Sequence, residues 1–252
     1  MSSYIINESK DGVIQFTINR AEKRNAVNYE VMEGLQKAIQ LANKPESKLL
    51  VITGAGNEAF CSGGDLSVFH SLRTEEQAYG MLSKMAGILY DLMMLKTPSV
   101  ALMNGTAVGG GCELATACDF RIARKGIKAG FIQGKLVITT GWGGGSFLFE
   151  KIAYPNALKM LTEAKTYPVD ELSQLGFINY IFEGEPEEGL ANFIKNMLAI
   201  DGDVHKAYKE MATRKWEGQN LRGRIEEEVR RCSVLWENEK HHKQVDLFIN
   251  RK

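Results

Sequence analysis

Hydrophobic positions along this chain fall into short uninterrupted runs and into longer stretches where they recur at helical spacing. The runs at 13–18, 49–53 and 99–103 predict strands, and the second of these, LLVIT, predicts a strand covered on both faces. Helical spacing predicts one helix that begins after Asn28 as its N-cap and another over about 74–95. The pattern therefore indicates an α/β fold.

The order of strand, glycine-rich connection and helix occurs twice. LLVIT leads into GAGNEAFCSGGD at 54–65, which we interpret as a loop throughout, and SVALM leads to the glycines at 109–111 before the helical stretch LATACDF. No sequence repeat accompanies this repeated order. Loops at equivalent ends of strand–loop–helix units are neighbours in a regular α/β layer, so we expect the two glycine-rich connections to meet.

The chain beyond about residue 150 is predicted to be mostly helical. Its last part, 220–250, is strongly charged but carries apolar residues at helical spacing: Ile225, Val229, Cys232, Leu235 and Trp236. Such an amphipathic surface needs a cover. The rest of this chain and a neighbouring subunit are both open possibilities.

Composition excludes several classes of partner. The chain has 252 residues, which suits one large domain or one domain with a helical appendage, and its 31 basic residues balance 31 acidic ones. This balance argues against a nucleic-acid partner. The four cysteines show no paired spacing, so we expect neither a disulfide framework nor a metal site. No signal peptide and no membrane span is evident, which favours a reduced, cytoplasmic setting without membrane binding.

The run Gly109-Gly110-Gly111-Cys112-Glu113 is the strongest chemical signal in the sequence. Glycine lacks a Cβ, so a ligand can approach the backbone N–H groups closely, and the first turn of a helix leaves such groups unpaired. An anionic oxygen would be stabilised there, and Glu113 follows close enough to act on an atom held at that point. Hydrogen-bond donors beside a carboxylate suit chemistry through an enolate.

Two further segments have a structural and a functional interpretation. Gly63-Gly64-Asp65 reads either as a tight turn in which Asp65 caps the next helix, or as a loop whose Gly64 N–H is a second donor facing that of Gly110. The basic loop Asn19–Ala26 is either merely solvated or contacts the phosphates of a nucleotide-bearing ligand. The sequence leaves both pairs open.

Four motifs in order resemble the enoyl-CoA hydratase/isomerase (crotonase) superfamily, over about residues 13–182. They are NRAEKRNAV, LLVITGAGNEAFCSGGDL, TPSVALMNGTAVGGGCELATACDFRIA and KMLTEAKTYPVDELSQLGFINYIF. The first departs from the family pattern by having Ala21 where proline is usual. The resemblance implies a crotonase-like spiral of ββα units, with a core at 1–195 and a helical C-terminal trimerisation region at 196–252. It also implies a homotrimer or homohexamer.

By motif position, the resemblance also implies roles for individual residues. The substrate would be an acyl-CoA thioester, with coenzyme A as part of the substrate and no separate cofactor or metal. Gly64 and Gly110 would be the oxyanion-hole donors and Glu113 the first of two catalytic glutamates. The residues at positions that contact CoA in the family, partly through the backbone, are Arg24, Ala26, Ser62, Asp65 and Leu66.

The chain departs from the hydratase pattern where a second glutamate is expected. Counting back from Gly143-Gly144 places Gln133 there, in a loop two residues shorter than is typical, and an amide is not a general base. The short loop, the tryptophan in GWGG and the segment ACDFR look more like the ethylmalonyl-CoA decarboxylase branch. Trp142 either shapes the acyl pocket or is simply core.

Three functions stay open from the sequence. The main one is an enoyl-CoA hydratase/isomerase-family enzyme that acts on an acyl-CoA thioester through a stabilised enolate, with Gln133 orienting substrate or water. The second is a decarboxylase of a short carboxyacyl-CoA, of the methylmalonyl- or ethylmalonyl-CoA type. The third is a non-catalytic acyl-CoA binder, which the presence of Glu113 beside intact glycines disfavours.

Overall fold

The structure, a computed structural model, describes residues 2–250, which form two β-sheets, eleven α-helices and two short 3-10 helices. The strands are β1 (Tyr4–Glu8), β2 (Val13–Ile18), β3 (Leu49–Gly54), β4 (Ala59–Cys61), β5 (Ser99–Met103), β6 (Thr106–Val108), β7 (Phe120–Arg124), β8 (Lys128–Gly130), β9 (Tyr167–Pro168) and β10 (Tyr180–Phe182). The helices are α1 (Tyr29–Ala42), α2 (Leu66–Phe69), α3 (Glu75–Met93), α4 (Gly110–Ala117), α5 (Gly144–Lys151), α6 (Tyr154–Glu163), α7 (Val169–Gln174), α8 (Pro186–Leu198), α9 (Gly202–Gly218), α10 (Leu221–Glu237) and α11 (Glu239–Ile249).

From β3 to β8, successive strands alternate between the two sheets. The six-stranded sheet has the order β1-β2-β3-β5-β7-β10, and the four-stranded sheet has the order β4-β6-β8-β9. Apart from the antiparallel pairs β1–β2 and β8–β9, neighbouring strands are parallel. Each repeat in this part of the chain therefore adds one strand to each sheet, and a helical segment leads to the next repeat. This arrangement is a spiral of ββα units.

Local sequence explains the main elements. Every residue of β3 is buried, as its continuous apolar run predicts, and β2 alternates buried with half-buried positions because only one of its faces meets the main core. The side chain of Asn28 accepts a hydrogen bond from the Val31 N–H at 2.9 Å, so the predicted N-cap of α1 is confirmed. Thr74 and Gln77 form a capping box at the start of α3.

One interpretation of the sequence needs correction, and one short strand was not predicted. The segment 54–65 is not loop throughout, because Ala59–Cys61 forms β4, and a second short strand, β6, precedes the glycine run. Strands of three residues are too short to show a hydrophobic period, so only their pairing in the second sheet defines them. The predicted helix over 74–95 is confirmed as α3, which ends at Met93.

The apolar face of the C-terminal region is covered by its own chain at α10. Four of the five apolar residues of the predicted stripe are buried there and only Leu235 is not, while α10 packs along α3 and against α5. The indole N–H of Trp236 donates a hydrogen bond to the carbonyl of Leu72 at 2.9 Å. Of the helices within residues 2–250, none has both the length and the apolar character needed to cross a bilayer.

Candidate active site

The glycine run forms the start of α4. Gly109 precedes the helix with φ of +56°, a left-handed conformation that a side chain disfavours. A Cβ on Gly110 would collide with the indole ring of Trp142, and one on Gly111 would collide with the backbone carbonyl of Cys61. Packing therefore requires glycine at these positions, and no side chain of the described residues caps the first turn of α4.

The second glycine loop lies directly against the first. A Cβ built on Gly63, whose φ is +91°, would be 3.1 Å from the backbone nitrogen of Gly110. The Val27 N–H donates to the Gly63 carbonyl at 2.8 Å and the Asp65 N–H donates to the Val27 carbonyl at 2.9 Å, which fixes the backbone on both sides of Gly64. Between residues 2 and 250, neither the Gly64 N–H nor the Gly110 N–H has an acceptor. The fold thus brings together two N–H donors that have no acceptor in the described chain, as an oxyanion hole would require.

The indole of Trp142 closes the space beside both donors. Its ring lies against Gly110, and a Cβ built on Gly64 would be 3.5 Å from the ring and 3.1 Å from that of Phe69. Trp142 is itself only 4% exposed. A large rigid ring at this point leaves little room next to an oxygen held by the two N–H groups.

Glu113 is buried at the first turn of α4 and is held by three donors. The N–H groups of Trp142 and Gly144 donate to its Oε2 at 2.8 and 2.9 Å, and the amide of Gln133 donates to its Oε1 at 2.8 Å. Only 3% of the residue is exposed. The carboxyl is therefore rigid, and its orientation is set by the backbone that leads into α5.

The pKa of Glu113 lies close to neutrality. Burial, together with the nearby carboxylate of Glu228, raises the pKa of Glu113 to about 7, although the three hydrogen bonds oppose this shift. A carboxyl with this pKa is present in both protonation states near pH 7. Such a group can give or take a proton at little cost, as acid–base catalysis requires.

A sequence profile of the enoyl-CoA hydratase/isomerase family matches residues 8–252. The chain belongs to this enzyme family. It is 33% identical to an ethylmalonyl-CoA decarboxylase of Xenopus laevis, over 92% of this chain and 78% of the relative. It is 31% identical to a short-chain-enoyl-CoA hydratase of Clostridium acetobutylicum, over 79% of this chain and 77% of the relative.

Solved structures agree on the fold. The chain superposes on an enoyl-CoA hydratase from Bacillus halodurans with a TM-score of 0.88 at 23% identity, over 98% of this chain and all of that one. An enoyl-CoA hydratase from Mycobacterium avium subsp. paratuberculosis gives 0.86 at 22% identity, covering 98% of both chains. The crotonase-like α/β fold and the membership of the hydratase/isomerase family predicted from the sequence are confirmed.

Gln133 lies next to Glu113, at the position where the hydratase pattern has a second glutamate. It opens the short 3-10 helix Gln133–Leu136 and is buried. Its Nε2 donates to Glu113, while its Oε1 is buried and, among residues 2–250, has no hydrogen-bond partner. A buried acceptor without a donor is costly, so this amide oxygen has the capacity to bind a donor that a substrate or Glu113 itself supplies.

The residues expected to contact CoA occupy two adjoining loops. Ser62 donates its N–H to the Arg24 carbonyl at 3.1 Å, and Ala26 is buried beside Val27, whereas Arg24 is exposed with φ of +51°. Leu66 begins α2.

The carboxylate of Asp65, another of these residues, has structural partners. It caps α2 through the Ser67 N–H at 2.9 Å and pairs with Arg20 at 2.7 Å, so the carboxylate is engaged within the protein. The interpretation of Asp65 as the cap of the next helix is therefore correct for its side chain.

Glu228 on α10 is a residue of this site that the sequence analysis did not single out. It lies one turn after Ile225 and next to Val229, so a charged residue here interrupts the buried stripe of an amphipathic helix. That interruption was the available signal. Glu228 and Glu113 are more than a hundred positions apart in the sequence. The pattern of a single helix carries no information about such a long-range proximity.

Proposed function

We propose that the protein decarboxylates a short 2-carboxyacyl-CoA thioester through an enolate. The observation that carries this proposal is the partner of Glu113: a neutral amide, Gln133, instead of a second carboxylate. A substrate that brings its own carboxylate would be repelled by a pair of ionised acids, whereas a single acid with a pKa of about 7 and an amide tolerate it. Relatives named ethylmalonyl-CoA decarboxylase in frog, rat and chicken support this choice.

The reaction divides into two steps. The bond between the α-carbon and the substrate carboxylate breaks, CO2 leaves, and the electron pair moves to the α-carbon and the thioester oxygen. The Gly64 and Gly110 N–H groups stabilise the negative oxygen of this enolate. Protonated Glu113 then delivers its proton to the α-carbon, which gives the saturated acyl-CoA, and the ionised Glu113 recovers a proton from solvent.

Gln133 serves both protonation states of Glu113. With Glu113 ionised, the Nε2 of Gln133 donates to it, as observed at 2.8 Å. When Glu113 is protonated, its hydroxyl becomes a donor, and a reversed Gln133 amide accepts that bond with Oε1. The reversal turns the Nε2 donors towards the substrate, where they bind the carboxylate that will leave as CO2.

Substrate size and CoA binding follow from the walls of the site. The Trp142 indole beside both donors restricts the acyl group to a short chain. Arg24 provides charge for the CoA phosphates, and Ala26, Ser62, Asp65 and Leu66 line the same two loops and provide further contacts. We expect no cofactor or metal besides the CoA of the substrate.

Proton transfer on an enoyl-CoA, in hydration or isomerisation, is the second candidate. The observation in its favour is the pKa of Glu113, since a carboxyl with a pKa of about 7 is partly ionised near neutrality and able to act as a base. Hydratases of Clostridium acetobutylicum and Syntrophomonas wolfei are among the relatives. A lone acid must then both take and return the proton.

Product masses distinguish the two reactions. Purified protein is incubated in parallel with methylmalonyl-CoA, ethylmalonyl-CoA and crotonyl-CoA, and the CoA products are weighed by mass spectrometry. We expect the two malonyl derivatives to lose the mass of CO2 faster than crotonyl-CoA gains the mass of water. Faster hydration would reject the decarboxylase proposal, and binding of all three thioesters without turnover would favour a non-catalytic binder.

Loss of the Gly110 donor should lower turnover strongly. Proline fits the first position of a helix and removes the N–H, but its ring would meet the Trp142 indole, so the test uses a Trp142→Ala background. We expect Gly110→Pro in that background to lower kcat by roughly 10²–10³-fold relative to Trp142→Ala alone. Circular dichroism checks that both variants are folded. Equal kcat in two folded variants would remove this N–H from the mechanism.

A homotrimer or homohexamer remains a proposal supported by the family. The division into a core at 1–195 and a C-terminal trimerisation region at 196–252, of which residues 251 and 252 lie outside the described part, belongs to the same proposal, as does the cytoplasmic location. Light scattering after size-exclusion chromatography measures the mass of the assembly. A monomer would contradict the proposed assembly without bearing on the chemistry.

A further inference from the structure

Two acids divide the donors at the start of α5 between them. Oε2 of Glu113 accepts the N–H groups of Trp142 and Gly144, and the next two N–H groups go to Glu228. Gly145 donates to Oε1 of Glu228 at 3.1 Å, while the N–H and hydroxyl of Ser146 donate to its Oε2 at 2.8 and 2.7 Å. Glu228 therefore holds the backbone segment that in turn holds Glu113.

The two acids are placed to hold unlike protonation states. Burial raises the pKa of Glu228 above its ordinary value, although its place at the N-terminal end of α5 and the N–H and hydroxyl bonds that it receives oppose this shift and favour the carboxylate. Glu113 is almost fully buried and has a pKa of about 7. A negative charge on Glu228 makes a second charge on Glu113 unfavourable, and this repulsion adds to burial in raising the pKa of Glu113.

No positively charged side chain of the described chain neutralises the pair of acids, Glu113 and Glu228. The thiols of Cys112 and Cys232 also face it, but burial raises the pKa of both, so they are neutral near pH 7. Arg224, one turn before Glu228 on α10, bonds to Glu150 at 2.8 Å instead. Within residues 2–250, neither acid forms an ion pair. Near and below neutral pH, the favoured state then has a single proton on the two glutamates, held by Glu113.

We propose that Glu228 is a positioning residue for the reaction: it anchors the first turn of α5 behind Glu113 and Trp142, and its negative charge keeps the proton on Glu113. This inference rests on the proposed function in so far as Glu113 is the proton donor. It gives the C-terminal helical region a direct part in the chemistry, since α10 supplies the charge.

The test is Glu228→Gln, which keeps the shape and removes the charge. Decarboxylation by the wild type should fall as pH rises through about 7, because only protonated Glu113 delivers the proton. In Glu228→Gln the midpoint should move about one unit lower, with kcat affected more than KM, because ionised Glu113 is no longer repelled. Glu228→Asp should restore the midpoint. Glu227→Gln, an exposed neighbour on α10, should behave as the wild type.

A second readout needs no turnover. The infrared difference spectrum between a protein and its Glu113→Gln variant contains the carbonyl band of protonated Glu113, which is followed against pH with and without Glu228→Gln. A lower midpoint in the Glu228→Gln background supports the inference even if no thioester is decarboxylated, which separates it from the proposed function. An unchanged midpoint by infrared overturns it, as does a loss of activity that is equal at every pH, since that indicates a purely structural role.

Discussion

Glu113→Gln should bind CoA thioesters as the wild type does and turn over roughly 10²–10⁴-fold more slowly, the usual contribution of a positioned acid or base. The substituted amide resembles protonated Glu113 in shape and charge. Its oxygen accepts the N–H groups of Trp142 and Gly144, and its NH2 faces Gln133, whose Oε1 has no partner among the described residues and accepts after the amide reverses. The variant therefore retains the local hydrogen bonds but has no proton to give. Calorimetric binding of a non-reactive thioester and steady-state kinetics measure the two halves of this prediction.

The control for this result is the stability of the variant. The pKa of Glu113 is raised in the folded protein, so its contribution to the free energy of unfolding is complete below the ordinary value of 4.5 and is lost as pH rises through about 7. Glu113→Gln removes that ionisation. Its melting temperature should thus depend less on pH between 5 and 8 than that of the wild type. Unchanged turnover with every thioester tested would show that Glu113 has no part in catalysis.

The fold was predictable where a segment is long and its pattern is continuous. β3 and α3 follow from their own residues, because burial on both faces or along one stripe leaves a period in the sequence. The four-stranded sheet was not predictable in this way. β4, β6 and β8 have three residues each, and they become strands only by pairing with one another, which is a property of the whole spiral.

The residues of the site likewise divide into those that the sequence identifies and those that only the structure reveals. Gly64, Gly110 and Glu113 lie in glycine-rich motifs, and the structure brings these motifs together as the repeated order of elements predicts. Glu228 and the packing of Trp142 on Gly110 arise from contacts between distant segments. The pKa of Glu113 depends on those distant contacts and on burial. A sequence motif can therefore name the acid, but only the folded chain sets when the acid carries its proton.

Gln133→Glu should exchange one reaction for the other. A carboxyl at this position would face Oε1 of Glu113, from which the Gln133 amide is now 2.8 Å away, and two acids so close share a proton instead of both ionising. A second acid supplies what hydration lacks here, activation of water at one carbon and proton delivery at the other. It also repels the carboxylate of a malonyl-type substrate. We expect hydration of crotonyl-CoA to rise at least about 10-fold and decarboxylation to fall about 10²-fold.

Gln133→Met is the matched control for this exchange, because it keeps the length of the side chain without adding charge or hydrogen bonds. It should weaken decarboxylation, since the amide that binds the substrate carboxylate is lost, and it should not increase hydration. Hydration is followed as loss of the enoyl absorbance and decarboxylation as release of CO2. If Gln133→Glu decarboxylates as fast as the wild type, residue 133 does not face the departing carboxylate. The difference in reaction between this chain and the hydratases would then be expected from the Trp142 side chain beside the two N–H donors.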